Sequence, residues 1–377
     1  MPTIKRLLFV VVPLSFSGLA ASDGKCADTQ PALEATAHPW READILFHRD
    51  PNWLGGDDAY SLDLRDGRVA WFFGDSFVAP STPGERRGST MVHNTVGIQS
   101  GYDPTQADFK AYWQHTNDKP SSFFPDNGHH YYWPGGSILI DGKLLVFFMQ
   151  SCTKDPTNAM GFDTDGWAAT MVNNPGDSPD RWRLRRLDAP QNTFDVLVGS
   201  ASLVRDGEYL VAFSVGNKQH QVFLVRWPWC DAADGDLSRP EWWTGKEHGW
   251  VAQLELAELP APVMDKGHTE FSVIQSPTLQ TYLQFQFTGF PVSPIGLRTS
   301  PAVTGPWSQA TPFLEPEKLT TPSPGLMLYA VKAHPELKCD GLALTYASNT
   351  HKLEQLLDSA TIYYPRFVRV QLDRPAP

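Results

Sequence analysis

The chain has 377 residues, 41% of them hydrophobic and 19% charged, with a net charge of −11. That length suits one large domain or two medium ones with ample core material. The acidic balance, with no basic stripe to offset it, argues against nucleic acid and anionic membrane as partners and is compatible with a neutral polymer.

Residues 1–22 read as a secretory signal peptide: Lys5-Arg6 form a basic start, Leu7 to Phe16 an apolar run, and Gly18 to Ser22 a small-residue cleavage region. The apolar run is short for a membrane span. Residues 23–377 are then expected to be a single secreted domain, extracellular or periplasmic. Cys26, Cys152, Cys230 and Cys339 would stay in an oxidising compartment, where at least one disulfide is expected. Cys152–Cys230 and Cys26–Cys339 are plausible pairings that the sequence does not rank. No CxxC pair exists, which speaks against zinc, and no metal or other cofactor is expected. The chain is read as a monomer.

Trp53 to Val78 reads as one β-hairpin. Tyr60, Leu62 and Leu64 alternate with Ser61 and Asp63, Asp66-Gly67 signals a turn, and Val69 to Phe73 is a buried strand. Two carboxylate-bearing ends face each other at the open side, Gly55-Gly56-Asp57-Asp58 and Gly74-Asp75-Ser76. A two-residue turn pairs Asp58 with Asp75, and a three-residue turn centred on Asp66 pairs Asp57 with Asp75. Directly opposed residues put their β-carbons about 4.5–5.5 Å apart, where like charges repel, so such a pair asks for a reason. Turn aspartates capping a strand are the plain structural alternative.

The second half of this hairpin recurs. Arg65-Asp-Gly-Arg-Val-Ala-Trp-Phe-Phe is followed by Ile140-Asp-Gly-Lys-Leu-Leu-Val-Phe-Phe, Arg205-Asp-Gly-Glu-Tyr-Leu-Val-Ala-Phe and Cys339-Asp-Gly-Leu-Ala-Leu-Thr-Tyr. Ser276 to Phe285 supplies a degenerate copy. The copies fall roughly 60–75 residues apart, room for four strands plus loops. The expectation is an all-β protein, a five-bladed β-propeller whose N- and C-terminal strands share the last blade. Asp44 to His48 is expected to be the closing strand, and no helix longer than two turns should interrupt the pattern. A two-sheet sandwich competes, but it has no reason to repeat one hairpin sequence.

In a propeller the innermost strands converge, so equivalent strand ends supply site candidates. Beside Asp57, Asp58 and Asp75 these are Asn94 after the first hairpin, Trp133 in Tyr-Tyr-Trp-Pro-Gly-Gly, and Glu270 before the fourth repeat. His334, Asn349 and Arg366 follow near the end, all as possible sugar contacts. The His129-His130 pair shows no neighbouring acidic or cysteine partner in sequence and reads as a surface loop. Gly305-Pro-Trp307 and Glu241-Trp-Trp read as structural. No GxSxG, HExxH, P-loop or dinucleotide fingerprint occurs, which leaves carboxylate chemistry as the enzymatic option.

Taken with their order and spacing, WLGGDDAYSLDL-DGRVAWFFGDSFV, HNTVGIQ, YYWPGG-IDGKLLVFF, EWWTG, RTSPAVTGPW, AHPEL and YYPRFVRV resemble a bacterial and fungal family of secreted five-bladed propellers. Some of its members are endo-D-arabinanases that cut mycobacterial-type arabinan. The resemblance spans nearly the whole mature chain and implies a catalytic pair at Asp57, after Gly-Gly, and Asp75, in Gly-Asp-Ser-Phe. Trp-Pro-Gly-Gly in the second blade departs from the family, where an acidic residue often follows the first glycine. The stretches 79–90 and 153–166 look individual.

Two functions fit these observations. One is a retaining glycoside hydrolase acting on a furanose-rich polysaccharide, with Asp57 and Asp75 dividing the acid/base and nucleophile roles. The other is a non-catalytic carbohydrate-binding propeller. A second carboxylate gains a binder little, which favours the first. With Asp75 following a buried strand, it is the residue read as nucleophile.

Overall fold

The computed structural model describes residues 33–154, 161–316, 325–359 and 361–374, so the expected signal peptide and Cys26 lie outside the described residues. The protein is all-β. Five antiparallel sheets follow one another along the chain, each a meander of four or five strands. The first runs through Tyr60–Asp63, Arg68–Phe73, Thr95–Ser100 and Asp108–Tyr112, and the second through His130–Ile140, Lys143–Thr153, Phe162–Val172 and Leu184–Leu187. The third begins at Val196–Asp206 and ends with the Glu241–Trp243 and Trp250–Ala252 hairpin. The fourth covers Ser272–Ser276 to Thr311–Leu314. The fifth contains Leu326–His334, Leu342–Thr350 and Arg366–Asp373, and its outer place is filled by Glu34–Pro39 from the other end of the chain.

Each repeated turn joins the first strand of a sheet to the second. In the second sheet Ile140 pairs with Lys143, so Asp141-Gly142 is a two-residue loop with φ values of 46° and 76°. Left-handed conformations at both central positions match the twist of the flanking strands. The first strands touch in order from sheet to sheet, and that of the fifth touches that of the first. Polar ties link the first strands: Tyr60 of the first sheet donates to the Ser200 carbonyl of the third at 2.6 Å, Ser202 to the Val273 carbonyl at 3.1 Å, and the Ala333 amide to Ser272 at 2.9 Å.

Five apolar clusters lie between neighbouring sheets. Phe72 and Phe148 share the cluster between the first and second, and Phe147, Trp167 and Trp227 the one between the second and third. Phe213 and Tyr282 bridge the third and fourth, and Phe285 and Tyr346 the fourth and fifth. The seam between fifth and first is filled by Trp71, Phe73, Phe109 and Phe367 around a buried Phe47. Truncating such an aromatic to alanine costs about 3–5 kcal/mol.

Phe47 also corrects an expectation. Arg41–Asp44 is helical and Ile45–His48 continues as a 3-10 turn, so this segment is not the closing strand. Its buried residues, Ala43, Leu46 and Phe47, recur at i, i+3 and i+4, a helical spacing. The strand that completes the fifth sheet lies about ten residues earlier, at Glu34–Pro39, where Glu34 pairs with Asp373 and Pro39 with Val368. The helices among the described residues are short, Leu353–Asp358 and Trp229–Asp234 being six residues each.

Candidate active site

The first hairpin has the three-residue turn. Tyr60 pairs with Phe72 and Ser61 with Trp71, and the Leu64 amide donates to the Arg68 carbonyl. The same register resumes beyond the strand, where Gly56 pairs with Ser76. Counted along that register, Asp57 and Asp75 are the next facing positions, and the Asp75 charge acts on Asp57. The hairpin is not continuous, however, as the reading of Trp53 to Val78 had it. Asp58 and Ala59 adopt φ values of 67° and 56°, and the chain breaks there into Tyr60–Asp63 of the first sheet and Trp53–Gly56 of a separate three-stranded sheet. Two consecutive non-glycine residues in left-handed conformation cost free energy and cluster at functional sites.

Gly74 explains the Gly-Asp-Ser motif. A β-carbon there would sit 2.5 Å from Asp57 Oδ1 and 2.8 Å from Asp58 Oδ2, so only glycine leaves room for both carboxylates. Its amide also donates to the Asp57 carbonyl at 3.3 Å.

Each member of the facing pair has one oxygen held and the other left over. Oδ2 of Asp57 accepts hydrogen bonds from Tyr329 at 2.7 Å and Tyr363 at 3.3 Å, and Asn349 in turn donates to the Tyr329 oxygen at 3.1 Å. Oδ1 of Asp75 accepts from Trp133 Nε1 at 2.8 Å and His93 Nδ1 at 3.1 Å. Among the described residues no side chain donates to Asp57 Oδ1 or Asp75 Oδ2. Asp75 and His93 remain partly open to solvent.

Charge divides the pair further. Burial raises the pKa of Asp57 well above the usual carboxylate range, and the negative charges of Asp75 and Glu270 add to this against the tyrosine hydrogen bonds. Burial works against a charged His93, but the hydrogen bond and charge of Asp75 outweigh it and raise the imidazole pKa. His93 is stacked on Tyr131 with ring centres 3.9 Å apart.

Behind Asp57 lies a cluster of buried Asp58 and Lys332 with half-buried Glu270. Asp58 is 2% exposed, and its Oδ1 is buried without a hydrogen-bond partner among the described residues. Its pKa too is raised well above the carboxylate range, by burial first and then by Glu270 and Asp57, with Lys332 opposing. Lys332 is 1% exposed and lies over the Tyr60 ring, 3.8 Å from its centre. Burial brings its pKa down to about 8 in spite of the three carboxylates.

The structure thus brings Asp57, Asp58, Asp75, Trp133, Glu270 and Asn349 together. It places three other sequence candidates elsewhere. Asn94 is fully buried and spends its amide on the backbone, donating to the Phe124 and Tyr132 carbonyls and accepting from the Phe124 amide. His334 is fully buried between Ser61 and Thr345, its pKa lowered to about 3 by burial. Arg366 pairs with Asp44 at 3.0 Å and donates to the Thr361 carbonyl. All three are structural ties.

Sequence reasoning missed Tyr329, Lys332 and Tyr363, and of the neighbours His93 and Asn94 it took Asn94. A bulge between Tyr329 and Lys332, with Ala330 at φ 55°, breaks the alternation of the fifth sheet's first strand. A period-two count back from His334 passes through Lys332 but skips Tyr329. Tyr363 comes from the loop after Leu353–Asp358, a segment without a periodic signal. Gly55, at φ 111°, lets that loop approach, since any β-carbon there would strike the Tyr363 carbonyl.

The cysteines also differ from expectation. Cys152 and Cys230 are both free thiols, so that pairing is not formed, and Cys339 is free as well. Cys26, the partner in the other pairing, lies outside the described residues. His130, expected to lack such partners, has Asp165 and Cys152 beside it. Trp307 packs in the cluster between third and fourth sheets, and Glu241 pairs with Arg226 at 2.7 Å, both structural as read.

Fold and site together define an all-β protein with an acidic centre built where the first strands of its sheets meet. The chain belongs to the family described as a domain of unknown function (DUF5005), whose model matches residues 41–372. No curated protein sequence matches it significantly. Among solved structures, a candidate hydrolase from Bacteroides ovatus is 17% identical over 92% of this chain and 96% of its own, with a TM-score of 0.67. A family-62 α-L-arabinofuranosidase catalytic domain from Coprinopsis cinerea is 11% identical over 87% and 98%, with a TM-score of 0.46. An endo-arabinase from Bacteroides thetaiotaomicron is 12% identical over 86% and 95%, with a TM-score of 0.40. The first likeness is one of fold, and the other two are looser.

Proposed function

We propose that the protein is a secreted, monomeric glycoside hydrolase of the retaining type, acting on a furanose-rich polysaccharide such as arabinan in the manner of an endo-D-arabinanase. Its five sheets are read as the five blades of a β-propeller, the last closed by the two ends of the chain. The observation that carries the reading is the pair itself. Asp57 and Asp75 lie near enough for the charge of one to act on the other, at the next facing positions of the hairpin register, and they are held by different kinds of partner.

Opposed β-carbons about 4.5–5.5 Å apart suit the close carboxyl spacing of retaining enzymes, about 5–5.5 Å, better than the wider gap of inverting ones. Asp57, whose raised pKa keeps its proton, is the general acid. Asp75, held by two N–H donors through Oδ1, presents Oδ2 to the anomeric carbon. In the first step a C1–O bond to Asp75 forms as the glycosidic bond breaks, and Asp57 gives its proton to the leaving oxygen. In the second, ionised Asp57 takes a proton from water, which attacks C1 and releases Asp75. Trp133 offers a flat apolar face at the pair. The sequence resemblance to arabinan-cutting propellers supports the polymer class.

The test is a screen of plant and mycobacterial-type arabinans and xylan with the wild type, Asp57→Asn and Asp75→Asn. Release of oligosaccharides from arabinan, abolished in both variants, is the expected result. Retained arabinan binding with no hydrolysis by the wild type on any of these polymers would refute the enzyme reading.

A further inference from the structure

Three strands of the second sheet bring a second group of side chains together, away from the acidic centre. His130 opens the first strand and pairs directly with Cys152 near the end of the second. Between the second and third strands the register shifts: Gln150 pairs with Gly166 but Ser151 with Thr164, so Asp165 is the extra residue of a β-bulge. A bulge re-aims its residue. Here it turns the Asp165 carboxylate onto the His130–Cys152 face. Asp165 Oδ2 lies 3.0 Å from His130 Nε2 and 3.8 Å from Cys152 Sγ, and the three ligand atoms all fall within 4.8 Å of one another.

We propose that His130, Cys152 and Asp165 form a binding site for a borderline divalent cation such as Zn²⁺. Imidazole, thiolate and carboxylate are the donor types that zinc combines. Tetrahedral bonds of about 2.0–2.3 Å put ligand atoms roughly 3.3–3.8 Å apart, near the 3.0 and 3.8 Å that separate Asp165 Oδ2 from the other two. Three protein ligands leave a fourth position for water. Gln150 donates to the other Asp165 oxygen at 3.3 Å, the outer hydrogen bond that orients a metal-binding carboxylate. Cys152 is buried, His130 is partly exposed and Asp165 is exposed, which leaves an entry path.

The site's place gives the ion a role. Trp133 lies three residues beyond His130 in the same strand and holds Asp75, while Phe162, just before Asp163, packs edge-on against the Trp133 ring at 4.6 Å. A cation across these strand ends would fasten the wall that carries Trp133. The proposal does not depend on the catalytic reading.

The experiment titrates Zn²⁺ and Co²⁺ separately into the untagged, chelator-stripped chain and into Cys152→Ser, Asp165→Asn and Asp57→Asn. One saturable equivalent is expected, with the visible absorption of four-coordinate cobalt and a thiolate-to-cobalt band in the near ultraviolet. A coordinating cysteine binds as thiolate, so proton release should accompany binding. Cys152→Ser should lose the thiolate band and at least about 100-fold in affinity, Asp165→Asn about 10–100-fold, and Asp57→Asn nothing. Asp165→Asn changes an exposed residue, so it keeps the test intact if Cys152→Ser fails to fold. Absence of saturable binding, binding unchanged in Cys152→Ser or Asp165→Asn, or a mass spectrum showing Cys152 in a disulfide, overturns the proposal.

Discussion

Tyr329 donates its hydroxyl to Oδ2 of Asp57 at 2.7 Å, across 272 residues of sequence. The bond ties the fifth sheet to the break in the first hairpin, and it leaves Oδ1 of Asp57 as the oxygen without a side-chain donor. It also lowers the pKa that burial raises. Tyr329→Phe should therefore raise the Asp57 pKa further and shift the alkaline limb of the pH–rate profile upward. One lost hydrogen bond to a charged group is worth about 1.5–3 kcal/mol, so kcat/KM should fall roughly 10–100-fold. A pH profile of wild type and variant checks the direction; a limb that moves to lower pH means that Asp57 is not the group being titrated.

The division of labour between Asp57 and Asp75 gives a chemical prediction. With Asp75→Ala, azide should restore turnover by attacking C1 from the vacated side, yielding a glycosyl azide of inverted configuration. With Asp57→Ala, azide should intercept the covalent intermediate and give the retained product. NMR of the two azides reads the outcome. Exchanged configurations would swap the roles of the two aspartates.

Arg86 supports the same site from further out. It is 5% exposed, lies over the rings of Phe77 and Tyr364, and donates to the carbonyls of Leu54, Leu356, Ser359 and Ile362. The last three belong to the segment that delivers Tyr363 to Asp57. A lysine has three donors on one point and cannot reproduce that fork. Arg86→Lys should lower kcat/KM in a way that is not additive with Tyr363→Phe, because both act through one hydrogen bond. A double-mutant cycle giving additive losses would separate the two residues.

These examples mark what was legible in the sequence. The register of the first hairpin and the five repeated turns were readable because strand alternation and Asp-Gly turns are local signals. Asp75 and Trp133 could be placed from strand ends alone. Tyr329 could not, because the bulge at Ala330 changes the phase of its strand, and nothing local announces a bulge at a non-glycine residue. The helical spacing of Ala43, Leu46 and Phe47 was present but short enough to pass for a strand. His130, Cys152 and Asp165 come from three strands and a bulge, so no sequence spacing connects them.

The raised pKa of Asp57 makes the site a burden on stability as well as a source of chemistry. A carboxyl whose folded-state pKa exceeds its unfolded value of about 3.9 binds its proton more tightly in the folded state. Its stabilising share is complete below the unfolded pKa and is lost as pH rises through the folded pKa. At neutral pH the folded protein must either ionise a buried group or keep it protonated at a free-energy cost. Asp57→Asn removes that titration while keeping the shape and an oxygen to accept from the tyrosines. The variant should be inactive yet melt higher than wild type at pH 7, by about 1–2 °C for each kcal/mol released. The difference should shrink as pH falls toward about 4, where the unfolded carboxyl is itself about half protonated. Calorimetric melting of both proteins from pH 4 to 8 measures this directly. A stability difference that is flat across that range, or that grows as the pH falls, would mean that Asp57 is not held protonated in the fold.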